Sequence, residues 1–171
     1  EGGRGGGRSG RSGGDPDPDE TGAAGAEAEP MRAAWFGRGP HESYPDRKAS
    51  AMVGVHTASA RELGAELVEG YIYPQSNGQR SDVRWLWLSN GLAACGGELL
   101  SFSLLPNTDE ATAAAAHPHE LAPDACHHLC IDHRMMGVGG DVGWLPSVRS
   151  KYLVPDGTHQ WALLLSAVAF P

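Results

Sequence analysis

The stretch Arg80 to Leu88, RSDVRWLWL, limits the fold more than any other in the chain. Read as a strand, its side chains alternate, so Val83, Trp85 and Trp87 share one face and Leu86 and Leu88 the other. Apolar groups on both faces require cover on both sides. From Trp35 onward the same theme recurs as short apolar runs punctuated by Gly, Pro and Asn. Ala51 to Val55, Tyr71 to Tyr73, Leu99 to Leu104, His128 to Ile131, Tyr152 to Val154 and Trp161 to Phe170 are the further strand candidates. Asn77-Gly78 is a turn signal, because both residues accept positive φ. One short helix is expected, capped by Asn107 with Glu110 three residues on, continued by Ala111 to Ala116 and stopped by Pro118. Leu63 to Glu69 reads as a second helical turn. The expected class is all-β: two antiparallel sheets packed as a β-sandwich, with one short helix.

The first thirty residues stand apart. They contain no aromatic and no branched aliphatic side chain, so they bury too little apolar surface to offset the entropy of ordering their backbone. They read as a disordered Gly/Arg/acid-rich linker or insertion, leaving 31–171 as a single folded domain. Arg4, Arg8 and Arg11 sit among glycines as in RNA-binding tails, but Asp15, Asp17, Asp19 and Glu20 cancel their field. With a net charge of -8, no nucleic-acid partner is expected, since phosphate binding depends on clustered Lys and Arg. No run approaches the roughly 18 apolar residues of a membrane span, so no membrane partner is expected either. No signal-peptide pattern is present, which carries little weight in a chain that opens on Glu1 rather than Met. Three cysteines are not a disulfide framework and favour a reducing, cytoplasmic compartment.

Several short motifs invite chemistry. Cys126-His127-His128-Leu129-Cys130, followed by Asp132 and His133, suggests zinc. On a strand, however, Cys126, His128, Cys130 and Asp132 are spaced about 6.5 Å apart along one face. Zinc wants every ligand within about 2.3 Å of one point, so a strand with two buried thiols outweighs the metal reading. His117-Pro118-His119-Glu120 could serve as base or ligand, but Pro118 rules out a helical metal face, and these side chains are expected to tie the helix end to a neighbouring strand. Gly137-Val138-Gly139-Gly140 lacks the third glycine and the following helix of a nucleotide loop, for Val142 and Leu145-Pro146 stand there. What the glycines permit is close backbone packing that aims Trp144. A two-carboxylate glycosidase needs acids roughly 5 to 9 Å apart, and Glu42, Asp46, Asp82, Asp132 and Asp141 are the candidates. Spacing nominates no pair among them. Asp46 beside Arg47, Asp82 beside Arg80 and Arg84, and Asp132 beside Arg134 instead suggest local ion pairs. No self-sufficient catalytic centre is read from this chain.

Four longer stretches, taken in order, carry a resemblance. WFGRGPHESYPDR (Trp35 to Arg47), YPQSNGQRSDVRW (Tyr73 to Trp85), HPHEL (His117 to Leu121) and IDHRMMGVGGDVGW (Ile131 to Trp144) resemble successive signatures of the C-terminal, small-chain domain of large bacterial-type β-galactosidases, glycoside hydrolase family two. The resemblance implies a large antiparallel sandwich of the supersandwich type, ending a multidomain enzyme whose acid and nucleophile glutamates lie on a separate barrel. In that family the tryptophan closing a GxGGDDSW-like motif reaches the active site and stacks on the sugar in the leaving-group position. Trp144 matches it, with Gly139, Gly140 and Asp141 as loop support. An indole suits this task, because a sugar's apolar face buries against the flat ring at small rotamer cost. Without the resemblance, Trp144 would read as a core residue.

The chain also departs from that pattern. Val142 and Gly143 stand where the family has an acid and a hydroxyl, Ser76 stands where it usually has Glu, and residues 1–30 occupy the place of its first strands. A sandwich lacking those strands would expose sheet edges and apolar faces. The expected function is therefore that of an accessory domain or fragment of a retaining β-galactosidase, supplying substrate contact and no catalytic residue. Its implied partners are the remaining domains or subunit and a galactoside, with an oligomer left open. It implies no cofactor in this chain, since the magnesium and sodium of family enzymes are bound by other domains. The alternative is a stand-alone carbohydrate-binding or degenerate sandwich module without catalytic activity.

Overall fold

A computed structural model describes residues 31–64, 76–139 and 147–168. Six antiparallel strands form one sheet. They are β1 (Arg32–Gly39), β2 (Met52–Ser59), β3 (Arg80–Leu88), β4 (Leu92–Leu105), β5 (His128–Asp132) and β6 (Leu163–Ala167). The order across the sheet is β2-β1-β3-β4, and the far side of β4 is shared. Its C-terminal half, Ser101 to Leu105, pairs with β5, and its N-terminal residues Leu92 to Gly96 pair with β6. Two short helices join the strands, α1 (Ala60–Leu63) and α2 (Asp109–Ala114), where one had been expected.

One face of the sheet carries the core. Trp35 lies opposite Leu86, and Ala33 opposite Leu88. With Val83, Leu100, Phe102 and Leu104 they form one buried cluster, onto which Ala60 and Leu63 of α1 fold. Trp35 is fully buried, meets Phe102 edge to face at 5.5 Å between centroids and donates its indole N–H to the carbonyl of Arg38 at 2.9 Å. A buried indole needs such a partner, and this one fixes the end of β1. α1 is brief but firmly started. The Ser59 hydroxyl accepts from the amide of Glu62, while the Glu62 carboxylate takes the amide of Ser59 at 2.6 Å. Each side chain thereby satisfies an otherwise orphaned donor of the first turn.

The opposite face is open. There Trp87 lies between Ala34 and Ala93, and Trp85 between Phe36 and Cys95. Ala34, Trp85, Trp87, Ala93 and Cys95, together with Leu164, line an apolar recess of about 530 Å³. The even alternation expected across Val83, Trp85 and Trp87 fails. Asp82 takes a positive φ of 54°, and the β3 to β4 register shifts on both sides of Val83. That bulge turns Val83 into the core with Leu86 and Leu88 and leaves the two tryptophans on the open face.

Other expectations are corrected or refined. The helix α2 is capped by Thr108, whose hydroxyl accepts from Ala111; Asn107 instead donates to the carbonyl of Ala122 at 2.6 Å. Tyr152 to Val154 is not a strand, because amide-to-carbonyl bonds from Tyr152 to Arg149 and from Leu153 to Ser150 close a 3-10 turn over Ser150–Tyr152. Gly78 has the positive φ anticipated for the Asn77-Gly78 turn, at 72°, and Asn77 does not. β1 carried no strand assignment in the sequence reading. Tyr71 to Tyr73, residues 65–69 of the second helical turn, the end of the last strand at Phe170 and residues 1–30 lie outside the described residues.

Candidate functional site

The turn Tyr44-Pro45-Asp46-Arg47 is where the two halves of the chain meet. Proline and aspartate at its centre suit a tight turn. Tyr44 and Arg47 exchange both backbone hydrogen bonds, at 3.0 and 2.9 Å. The turn is tied to β3 from several directions. Ser43 donates its amide to the carbonyl of Gln79 at 2.7 Å, and its hydroxyl accepts the amide of Ser81 at 3.0 Å. Glu42 takes Arg47 at 2.6 Å, the Tyr44 hydroxyl at 3.2 Å and the amide of Gly78 at 3.2 Å. Tyr44 itself is buried, and that burial pushes its hydroxyl up to about 12, against a hydrogen bond from Ser76 that pulls it down. Arg38 anchors the turn's far side, donating to the carbonyls of Lys48 and Ala51 and pairing with Asp82 at 2.6 Å.

Held this way, Asp46 faces the glycine loop ninety residues later. Its Oδ1 accepts the amide of Val138 at 3.1 Å, and its Oδ2 the amide of Gly139 at 2.8 Å. Two successive N–H groups converging on one carboxylate form an anion-binding concavity filled by the protein's own acid. Gly139 makes this geometry with φ at 79°, a conformation glycine adopts without cost. A Cβ on Gly137 would collide with the Asp46 carboxylate, so a side chain there would force the carboxylate aside. Gly137 also donates to the carbonyl of Tyr152 at 2.8 Å. A recess of about 200 Å³ lies among Asp46, Gly139, Ser147, Arg149 and Tyr152. Gly139 and Ser147, the described residues flanking 140–146, pack so closely that a Cβ on Gly139 would lie 2.6 Å from the Ser147 hydroxyl. Of the expected site residues, Gly139 is placed here, while Gly140, Asp141 and Trp144 lie outside the described residues.

The acids do not form the local pairs expected of them. Asp46 binds amides while Arg47 turns to Glu42. Asp82 pairs with Arg38 and with Lys48 at 2.9 Å. Arg80 donates instead to the carbonyls of Pro40 and Gly78, and Arg84 to the carbonyl of Asp82. Asp132 accepts from Gln79 at 2.9 Å. Burial pushes the Asp82 carboxyl up, but the hydrogen bonds and charges of Arg38 and Lys48 outweigh it and hold the group below its ordinary value. That is the reverse of what a proton donor needs.

The histidine and cysteine motifs resolve into local structure. Leu129 and Ile131 of β5 turn toward the core, so Cys130 faces out, and Cys126 precedes the strand. Both thiols are exposed, not buried as expected, because Cys130 points away from the core that Leu129 and Ile131 meet and Cys126 lies outside the strand. Glu120 folds back onto the amides of Ala116 and His117 instead of tying the helix to a strand, and His117 stacks on His119. Among the described residues no three His, Cys, Asp or Glu side chains gather as metal ligands. No helix among them is long and apolar enough to cross a membrane.

The role of Asp46 was missed by sequence reasoning. The Pro-Asp turn was visible in the sequence, but nothing local links it to amides 92 and 93 residues away.

Comparison with known proteins places this frame. The family described as Beta galactosidase small chain matches residues 23–165. The β-galactosidase of Pseudoalteromonas haloplanktis is 39% identical over 132 residues, covering 77% of this chain and 12% of that protein. That of Alteromonas mediterranea is 40% identical over 141 residues, covering 82% and 13%. That of Vibrio cholerae is 40% identical over 136 residues, covering 80% and 13%. The chain thus spans 12% to 13% of the length of these relatives. It belongs to the β-galactosidase small-chain family.

Proposed function

We propose that this chain serves as an accessory domain of a retaining β-galactosidase that hydrolyses terminal β-D-galactosyl residues of lactose-like substrates. The observation that carries the reading is the identity of about two residues in five with β-galactosidases along most of the chain. In such an enzyme one carboxylate attacks the anomeric carbon while a second protonates the departing oxygen, and water later releases the galactosyl group. Those two acids belong to another part of the assembly. This chain contributes Trp144, whose ring stacks on the sugar occupying the leaving-group position.

Two structural features support this division of labour. The open tryptophan face, with its 530 Å³ recess, suits a sheet whose second layer comes from the rest of the enzyme, completing the sandwich. The glycine loop, clamped by Asp46 with its flanks in contact, suits a segment that presents one side chain to a neighbouring domain.

The test of the substrate contact is kcat/KM for lactose in an enzyme assembled from this chain and a β-galactosidase lacking the matched segment. Losing an indole that covers a sugar face removes about 1.5–3 kcal/mol of apolar burial, so Trp144→Ala should lower kcat/KM about 10- to 100-fold. Equal values for the two chains would remove Trp144 from the site.

A further inference from the structure

We infer that the polar recess beside the Asp82 bulge, rimmed by Arg134 and Lys151, binds a phosphate dianion, either free or as a monoester on a small sugar. Such a site would operate whether or not the chain joins a β-galactosidase. The recess measures about 260 Å³, and the fold builds it from separate stretches: Pro45 and Lys48 after β1, the start of β3, the middle of β4, residues 133–135 and residues 151–155. Its acid is already engaged. The Asp82 carboxylate takes Arg38 at 2.6 Å and Lys48 at 2.9 Å, so this cluster alone carries one positive charge in excess. Lys48 bonds both carboxylate oxygens, and an ammonium with three donors keeps at least one for another partner.

Arg134 and Lys151 add two further cations to the lining. Both are exposed, and among the described residues neither meets an acid. Lys151 lies over the Tyr152 ring instead, its ammonium 4.6 Å from the centroid. Glu98 does not line the recess and is engaged by the His133 Nε2 at 3.2 Å. Lys48, Arg134 and Lys151 against Asp82 thus leave a positive excess in a chain whose net charge is -8. A cleft with such an excess concentrates anions. A phosphate monoester carries about -1.5 to -2 at pH 7 and matches it, whereas a carboxylate would leave charge uncompensated. The arginine fork can grip two phosphate oxygens, with the lysines as point charges beside it.

The rest of the lining leaves room for a small organic body. The His133 ring is held flat on Trp161, 5.3 Å between centroids and 4° between planes, which fixes one wall. Leu99, Leu153 and Val154 expose apolar groups along the same recess, where the C–H face of a sugar can lie. The volume falls below the usual range for drug-sized ligands and so suits a single ring at most.

Titration of the whole chain with inorganic phosphate, glucose 6-phosphate and glucose, followed by backbone amide shifts in NMR, tests the site. Both phosphates should move the amides of residues 133–135 and 151–155 saturably, and glucose should not. Arg134→Gln and Lys151→Gln should each weaken phosphate binding about tenfold, the loss of one charge-assisted contact. Arg61→Gln, which removes an exposed cation on α1, should leave it unchanged. Tighter binding of glucose 6-phosphate than of phosphate assigns a sugar monoester, and equal or weaker binding assigns the free anion. Shifts that do not saturate or that spread over the surface outside the recess, an equal response to glucose, or an equal loss in Arg61→Gln would overturn the site.

Discussion

At the scale of single residues, the network around Asp82 shows how much of the frame depends on one ionised acid. Asp82 sits at the bulge that turns β3, in a backbone conformation unusual for anything but Gly, Asn or Asp. Its carboxylate joins Arg38 to Lys48, and Arg38 in turn holds the loop carrying Asp46. Its folded pKa is depressed, so its stabilising effect is present above the unfolded value near pH 4 and is lost as pH falls through the lower folded value. Asp82→Asn keeps the backbone preference and removes the charge. It should cost about 1–3 kcal/mol in urea unfolding at pH 7, and the difference from the native chain should shrink progressively below about pH 4. A gap of constant size down to pH 2 would show that geometry, not charge, holds the site. None of this was legible in the sequence, where Arg80 and Arg84 stood nearer to Asp82 than Arg38 or Lys48. On a regular strand Arg80 and Arg84 would share a face with Asp82, but the bulge at Asp82 re-aims its carboxylate, and the fold brings Arg38 and Lys48 to it instead.

At the scale of elements, period-2 patterning identified β3 with its observed ends and located β2, β4, β5 and β6. β1 was overlooked because its glycines at 37 and 39 weaken the apolar alternation, although its register with β2 runs unbroken from Arg32 to Gly39. The faces of β3 were misassigned where Asp82 inserts a bulge, a feature set by tertiary hydrogen bonds and absent from any pattern of apolar residues. Helix caps are similarly ambiguous when two capable residues adjoin. Asn107 and Thr108 both can cap, and the demand of the Ala122 carbonyl decides in favour of Thr108. Thr108→Ala should therefore destabilise the chain by about 1 kcal/mol in equilibrium unfolding, with α2 exchanging its amides faster. An unchanged midpoint would mean that α2 contributes nothing to folded stability.

At the scale of the whole molecule, the described residues form a single sheet with a buried core on one face and an apolar recess on the other. The core face buries Trp35 and its partners under α1. The other carries Trp85 and Trp87 along an apolar recess that Leu164 also lines, with Val53 and Val55 exposed on the same side of β2. The sequence made this asymmetry readable in part. RSDVRWLWL demanded cover on both sides, and the chain itself supplies a layer to one. The matched relatives extend far beyond the aligned segment, and under the function proposed above the rest of such an enzyme would cover this face. The Asp46 contact with Val138 and Gly139 emerged only from the fold, because the aspartate and its amides lie 92 and 93 residues apart in the chain.

The most direct measurement is a titration of this chain into a β-galactosidase from which the matched segment has been removed, followed by lactose hydrolysis. Under the proposed function, activity should rise with added chain and saturate at a fixed stoichiometry. A flat response at every ratio, with a folded chain and a folded truncated enzyme, would contradict the account.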